Sequence, residues 1–272
     1  MCGRFVPLTL RQVMAVLQSL AQGRATGDYR GVPLTGLWNV AEKDAFPGAQ
    51  AQLILPYALA ERASLVDPAL RVPADPLAPG AMELEARAVD VARPGVPQPV
   101  TAPGESAPDA IGPSELTAAP MSWGFSVPWK AKGTVFNTRI ETALRDREQG
   151  YGFWKDPIEN GRCVVPCRRF FEASDIETVT SKRSGKQIKR IYSFSSPDAE
   201  VTLLGAVSDG QVFSIVTTEP NATMAPIHRR MPLVLEPEEV ATWLGPHFAS
   251  LANRSQIPLS SEPEDPGQAT LF

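Results

Sequence analysis

The chain has 272 residues, 43% of them hydrophobic, and a formal net charge of −4. That length supports one large domain or two small ones with a real core. The acidic balance excludes a protein that coats nucleic acid with its whole surface, so any nucleic-acid site must be a local basic patch. No apolar run reaches membrane-span length and no signal peptide precedes the first polar residues, so a cytoplasmic, nucleoid-associated protein without a membrane partner is expected. Three cysteines, Cys2, Cys163 and Cys167, make an odd count that argues against a disulfide framework.

In chain order, TLRQVMAVLQSLAQ predicts a helix over 9–22, with Thr9 as N-cap, Gly23 as stop and Val13, Val16, Leu17 and Leu20 on one face. A strand is expected at 51–55. From 56 to 120 the composition changes to Pro, Ala and Gly; the whole chain holds 27 Pro, about double the usual ~5%. This stretch reads as an irregular insertion, with AMELEARAVDVAR as a short strand or helix inside it. After it, RCVVPC, KRIYSFSS, VTLLGAVS, QVFSIVTTE and MPLVLE read as strands. EPEEVATWLG reads as a helix with Pro237 at N1 and Val240, Trp243 and Leu244 on its apolar face. A single domain over 1–252 with a flexible tail over 253–272 is expected.

The opening MCGRF carries the chemistry. A small second residue suits removal of Met1, and removal leaves an α-amine and a thiol on adjacent carbons of Cys2. The amine, with an ordinary pKa near 7.7–8.0, is partly neutral at pH 7. An aldehyde can form an imine with it, and the thiol can then close a five-membered thiazolidine ring in a favoured intramolecular step. Two other readings stand beside this one. Cys2 can be a small apolar residue of the first strand, or the nucleophile of an N-terminal hydrolase whose amine is its own base.

WGFSVPW (123–129), FNTRIET (136–142), RCVVPCRRFFEAS (162–174) and IHRRMPLVL (227–235) follow MCGRF in that order. Together the five stretches resemble the SOS-response-associated peptidase (SRAP) family, over the first ten residues, 37–55 and most of 121–244. The resemblance implies an α+β fold of antiparallel sheets forming a barrel-like core with peripheral helices. It implies a protein that shields abasic sites in single-stranded DNA by linking Cys2 covalently and reversibly to the ring-opened sugar, with AP-lyase-like and self-peptidase activity. It assigns Asn137 to orienting the reactants, Glu172 and His228 to proton transfer, and Arg4 and Arg139 to the DNA backbone.

Other residues are read directly. Arg168, Arg169, Arg229 and Arg230 form basic pairs beside these motifs and suit phosphate. Trp123 and Trp129 can stack on bases or fill the core. The chain departs from the family's pattern at Ala173 and Ser174, where a Trp is usual after the glutamate, at Arg229, and in the Pro-rich stretch. A Cys-dependent peptidase acting on other proteins is the alternative function. A zinc site through Cys163 and Cys167 is disfavoured, because VVP between them reads as strand, which points alternate residues apart. No metal, no cofactor and a monomer are expected. Finally, QATLF (268–272) follows an acidic, Pro- and Gly-bearing linker. Gln268, Leu271 and Phe272 resemble the short peptide by which bacterial polymerases dock on the sliding clamp, which makes that clamp an expected partner.

Overall fold

The computed structural model describes residues 2–21, 43–65, 116–130, 132–197 and 199–265. Its core is a closed five-strand barrel. β2 (Gln50–Pro56) pairs with β3 (Leu116–Trp123), β3 with β8 (Val212–Thr218), β8 with β7 (Thr202–Ser208), β7 with β5 (Arg162–Thr180), and β5 back to β2 at Ile54↔Val164. The pairings are antiparallel except β3 with β8. The fold is α+β with a barrel-like core, as expected.

Alternation along the strands builds two cores at once. Leu53 and Leu55 of β2, Met121 and Trp123 of β3, Cys163 and Val165 of β5, Leu204 and Ala206 of β7, and Phe213 and Ile215 of β8 share one buried cluster. The intervening Ile54, Ala118, Val164, Leu203, Val207 and Val216 belong to a second. That second cluster includes residues of the helices α1 (Leu10–Ala21), α3 (Ile140–Gln149), α4 (Lys155–Asn160) and α5 (Val240–Leu244). Because both faces of these strands are covered, they read as nearly continuous apolar runs. This is why RCVVPC and VTLLGAVS were legible.

The remaining strands extend the barrel. β1 (Arg4–Pro7) and β6 (Gln187–Ser195) pair with β5. β4 (Asn137–Arg139) and β9 (Met231–Pro232) pair with β8. β10 (Val234–Leu235) pairs with β7, and β11 (Ser260–Pro263) pairs with β6. MPLVLE is therefore two short strands, divided at Leu233, whose N–H donates to Val216 and whose carbonyl accepts from Gly205. Gly205 is needed here: an added Cβ would lie 2.8 Å from the Leu233 side chain and 3.1 Å from the Trp243 ring.

Thr9 caps α1 as expected, and Gln12 completes a capping box. The Thr9 N–H donates to Gln12 Oε1 at 2.7 Å, and the Gln12 N–H reaches Thr9 Oγ1 at 3.4 Å. α3 and α4 escaped the sequence reading. α3 has a charged outer surface and few apolar residues, and its clearest signal is Gly150, left-handed at φ 75°. Arg162, the first residue of β5, ties α4 and α5 together. Its guanidinium donates to the carbonyls of Ile158, Glu159, Trp243, Leu244 and Gly245, and lies 4.0 Å from the centre of the Phe248 ring. Carbonyls at two helix ends are thus met by one side chain.

Two expected boundaries need correction. The insertion does not span 56–120: α2 (Tyr57–Arg62) is helical with Leu59 and Ala60 buried, and β3 begins at Leu116. The flexible tail does not begin at 253. Arg254 is buried and donates to the Val234 carbonyl and to Glu239, Ile257 and Leu259 join the barrel's buried cluster, and β11 completes the sheet. The reading of AMELEARAVDVAR and the segment QATLF lie outside the described residues.

Candidate active site around the N-terminal cysteine

The register of β1 against β5 sets MCGRF beside FFEAS, with Arg4 opposite Phe171 and Phe5 opposite Phe170. Just before β1, Cys2 is fully buried in the same cluster as Phe5, Met121, Trp123 and Phe170. Its Sγ lies 3.6 Å from the Arg4 carbonyl. Burial, reinforced by the neighbouring Glu172 carboxyl, pushes the thiol well above its ordinary pKa. At neutral pH the sulfur therefore holds its proton, and a base must take that proton when sulfur attacks.

Asn137 reaches this point from β4, which is held in place by its parallel pairing with β8. Its Nδ2 donates to the Cys2 carbonyl at 2.8 Å. Its Oδ1 is buried with no hydrogen-bond partner among the described residues. An unpaired buried acceptor costs about 1–3 kcal/mol, a cost recovered when a ligand donor arrives.

Glu172 is 2% exposed. Burial pushes its carboxyl up to about 7, while the positive chain terminus draws it back and Asp175 adds to the rise. Three residues on, β5 is stitched to the loop that carries His228. The Asp175 N–H donates to the Ile227 carbonyl at 2.8 Å, and the Arg229 N–H donates to Asp175 Oδ2 at 3.3 Å. His228 Nδ1 lies 2.8 Å from the Arg230 carbonyl, and Nε2 lies 3.9 Å from Asp175 Oδ2. Burial lowers the His228 pKa, so the neutral imidazole dominates at pH 7. The charge of the chain terminus acts on Cys2, Glu172 and His228 alike, which marks them as one electrostatic neighbourhood. Asp175 was missed in the sequence; its only signal is an acidic residue three places after Glu172.

The residues expected to hold DNA divide. Trp123 is not a stacking platform: it is 1% exposed, its Nε1 donates to the Phe136 carbonyl, and it packs on Phe5 and Phe213. Trp129 is 60% exposed and lies edge-on to Phe153 at 4.9 Å. Arg4 is 9% exposed, bonded to Asp44 at 2.6 Å and to both Glu264 oxygens, and stacked on Phe171. Arg230 is also spent internally, on both oxygens of Glu141 and on the Thr217 carbonyl. Arg139, Arg169 and Arg229 are exposed, and Arg168 is half-buried. Cys163 and Cys167 share the barrel's inner cluster, because a spacing of four returns a strand to the same face. The strand argument against pairing them was therefore wrong. Even so, among the described residues no three His, Cys, Asp or Glu side chains group as a metal site.

Near the start of the chain, the β-barrel thus holds a buried thiol, a buried carboxyl of pKa about 7 and an amide bonded to the thiol residue's main chain. The chain belongs to the SOS response associated peptidase (SRAP) family, whose model matches residues 1–265. It is 28% identical over 139 residues to abasic site processing protein YoaM of Bacillus subtilis, covering 48% of this chain and 57% of that protein. It is 26% identical over 133 residues to abasic site processing protein YedK of Escherichia coli, covering 46% of this chain and 54% of that protein. The match thus spans about half the length of these curated relatives. Among solved structures, a phage-related protein from Bordetella bronchiseptica shares the fold at 16% identity and a TM-score of 0.50, covering 97% of this chain and 94% of the other.

Proposed function

We propose that this protein processes abasic sites in single-stranded DNA by forming a reversible thiazolidine between Cys2 and the ring-opened deoxyribose. The observation that carries this reading is the contact of Asn137 Nδ2 with the Cys2 carbonyl beside a buried carboxyl of pKa about 7. Once Met1 is removed, Cys2 offers its amine and thiol together. The amine adds to the aldehyde carbon, and loss of the carbinol oxygen as water gives the imine. The sulfur then adds to that same carbon, its proton leaves, and the imine nitrogen gains one. One water is released for two bonds formed, to nitrogen and to sulfur.

Glu172 suits both proton steps, because near pH 7 its protonated and ionised forms are both populated. As the acid it protonates the departing hydroxyl; as the carboxylate it takes the thiol proton. His228, held through Nδ1 against the Arg230 main chain, assists opening of the sugar. Asn137 Oδ1 accepts from a sugar hydroxyl or the Cys2 amine. The same groups assist the reverse reaction. Exposed Arg139, Arg169 and Arg229, with Arg168, provide the local phosphate contacts.

The test is to mix the protein with abasic single-stranded DNA and look for a heat-stable adduct on a denaturing gel. Wild type is expected to form it. Cys2→Ala should lose it while still nicking the strand through a transient imine, and retention of Met1 should block it. A Cys2→Ala protein that crosslinks as stably as wild type would overturn the mechanism.

A further inference from the structure

β5 does not stop at the site. After Glu172 and Asp175 it runs on to Thr180, turns through Ser181–Lys186 and returns as β6. The pairs Thr178↔Lys189, Val179↔Ile188 and Thr180↔Gln187 hold it as a two-stranded arm. From the Ala173↔Ile191 pair to the Thr180↔Gln187 pair β6 runs four residues, or about 13 Å at ~3.3 Å per residue, while β5 covers the same interval with seven residues through a bulge. Every residue from Lys182 to Lys189 is exposed, and Ile176 is 82% exposed.

The charge of this arm is strongly one-sided. Lys182, Arg183, Lys186, Lys189 and Arg190 fall within nine residues of a chain whose net charge is −4. Some of these are partnered: Arg190 Nε with Glu177 at 2.7 Å, Lys182 with Asp265 at 2.7 Å, and Lys189 with Asp175 at 3.4 Å. Asp175 also faces His228, so Lys189 stands at the root of the arm on the side of the proposed reaction. Thr178, opposite Lys189, shares that face of the ribbon, and so do Thr180 and Gln187 two pairs further out. Arg183 and Lys186 stand exposed at the tip. Cations and hydroxyls on a solvent-facing ribbon, continuous with the site through one strand, match the chemistry of a polyanion better than that of an apolar partner.

We propose that the β5–β6 arm is a second contact surface for the phosphodiester backbone, taking the strand as it leaves the site past Lys189 towards Arg183 and Lys186. This deepens the reading of the site as one for abasic DNA and rests on it for the direction of the strand. Contacts to phosphate carry no sequence information, so the arm adds affinity and orientation without base preference.

The experiment compares Arg183→Ala/Lys186→Ala and the charge-reversed Arg183→Glu/Lys186→Glu with wild type. Binding is measured by fluorescence anisotropy on intact single strands of about 6 and about 25 nucleotides across a salt series. Losing two phosphate contacts should make the slope of log K against log salt shallower by about 1.4, from ~0.7 per contact on single strands, for the long strand only. The charge-reversed variant should bind the long strand still more weakly. Circular dichroism matching wild type secures the fold of both. Wild-type affinity and slope for both variants on the long strand overturn the arm, and so does an equal loss on both lengths, which would show an unlocalised charge effect. Adduct formation by wild type on abasic DNA is scored separately. If it fails while the arm's length-dependent effect is present, the thiazolidine reading falls and the binding surface stands.

Discussion

Glu172 concentrates the conflict at the residue scale. A carboxyl whose folded pKa is about 7, against an ordinary value of 4.5, keeps its proton in the folded state where the unfolded chain has lost it. The folded state is then penalised as pH rises from about 4.5 to about 7, and the penalty persists above that. The gap amounts to about 3 kcal/mol. Glu172→Gln, which mimics the neutral acid, should therefore be more stable than wild type at pH 8 by up to that amount and no more stable at pH 4. It should also form and release the adduct more slowly. Thermal unfolding at both pH values checks the first claim; parallel pH profiles for the two proteins would show that Glu172 does not carry a buried charge. A site residue that lowers stability is expected where proton transfer requires an unfavourable environment.

At the scale of elements, residues 254–265 are structural. They supply Arg254 to Glu239 and the Val234 carbonyl, Ile257 and Leu259 to the barrel cluster, β11 to β6, and Glu264 to Arg4. Burying a side chain the size of Ile or Leu is worth about 1.5–3 kcal/mol. Breaking a buried ion pair costs up to about 3–5 kcal/mol, because one charge stays behind unpaired. Together these rival the whole stability of a typical domain. A chain ending at 253 should fail to unfold cooperatively, whereas a chain ending at 265 should melt within a degree or two of the full-length protein. A cooperative, wild-type melt from the shorter chain would show that β11 and its ion pairs add little.

At the scale of the whole molecule, the candidate site lies partway along β5, whose first half belongs to the barrel and whose last residues form the arm. The segment QATLF lies beyond the described residues, and we propose that it docks on the bacterial sliding clamp through Gln268, Leu271 and Phe272. A peptide ending in QATLF should bind the clamp in a surface-plasmon or anisotropy assay with micromolar affinity. Leu271→Ala with Phe272→Ala should abolish that binding in the full chain, while adduct formation with abasic DNA continues. No binding at high micromolar concentration, or loss of the fold in the double variant, would show that these residues do other work.

The reactivity of a 1,2-aminothiol is local to one residue, so MCGRF alone singles out Cys2; Asn137, Glu172 and His228 became candidates through the family resemblance of FNTR, FFEAS and IHRRMP. The barrel strands were legible for a similarly local reason: runs such as VTLLGAVS and RCVVPC are apolar on both faces. What the sequence could not show depends on partners distant in the chain. Trp123 looked able to stack on a base, but β3 turns it into the barrel against Phe5 and Phe213. Arg4 and Arg230 looked free for phosphate, but Glu264 and Glu141 claim them from 260 and 89 residues away. The tail looked too polar to fold, yet sheet pairing is satisfied by main-chain hydrogen bonds whatever the side chains, so SSEP could become β11. Residue chemistry is written locally, whereas burial and ion pairing are decided by which segments the barrel brings together.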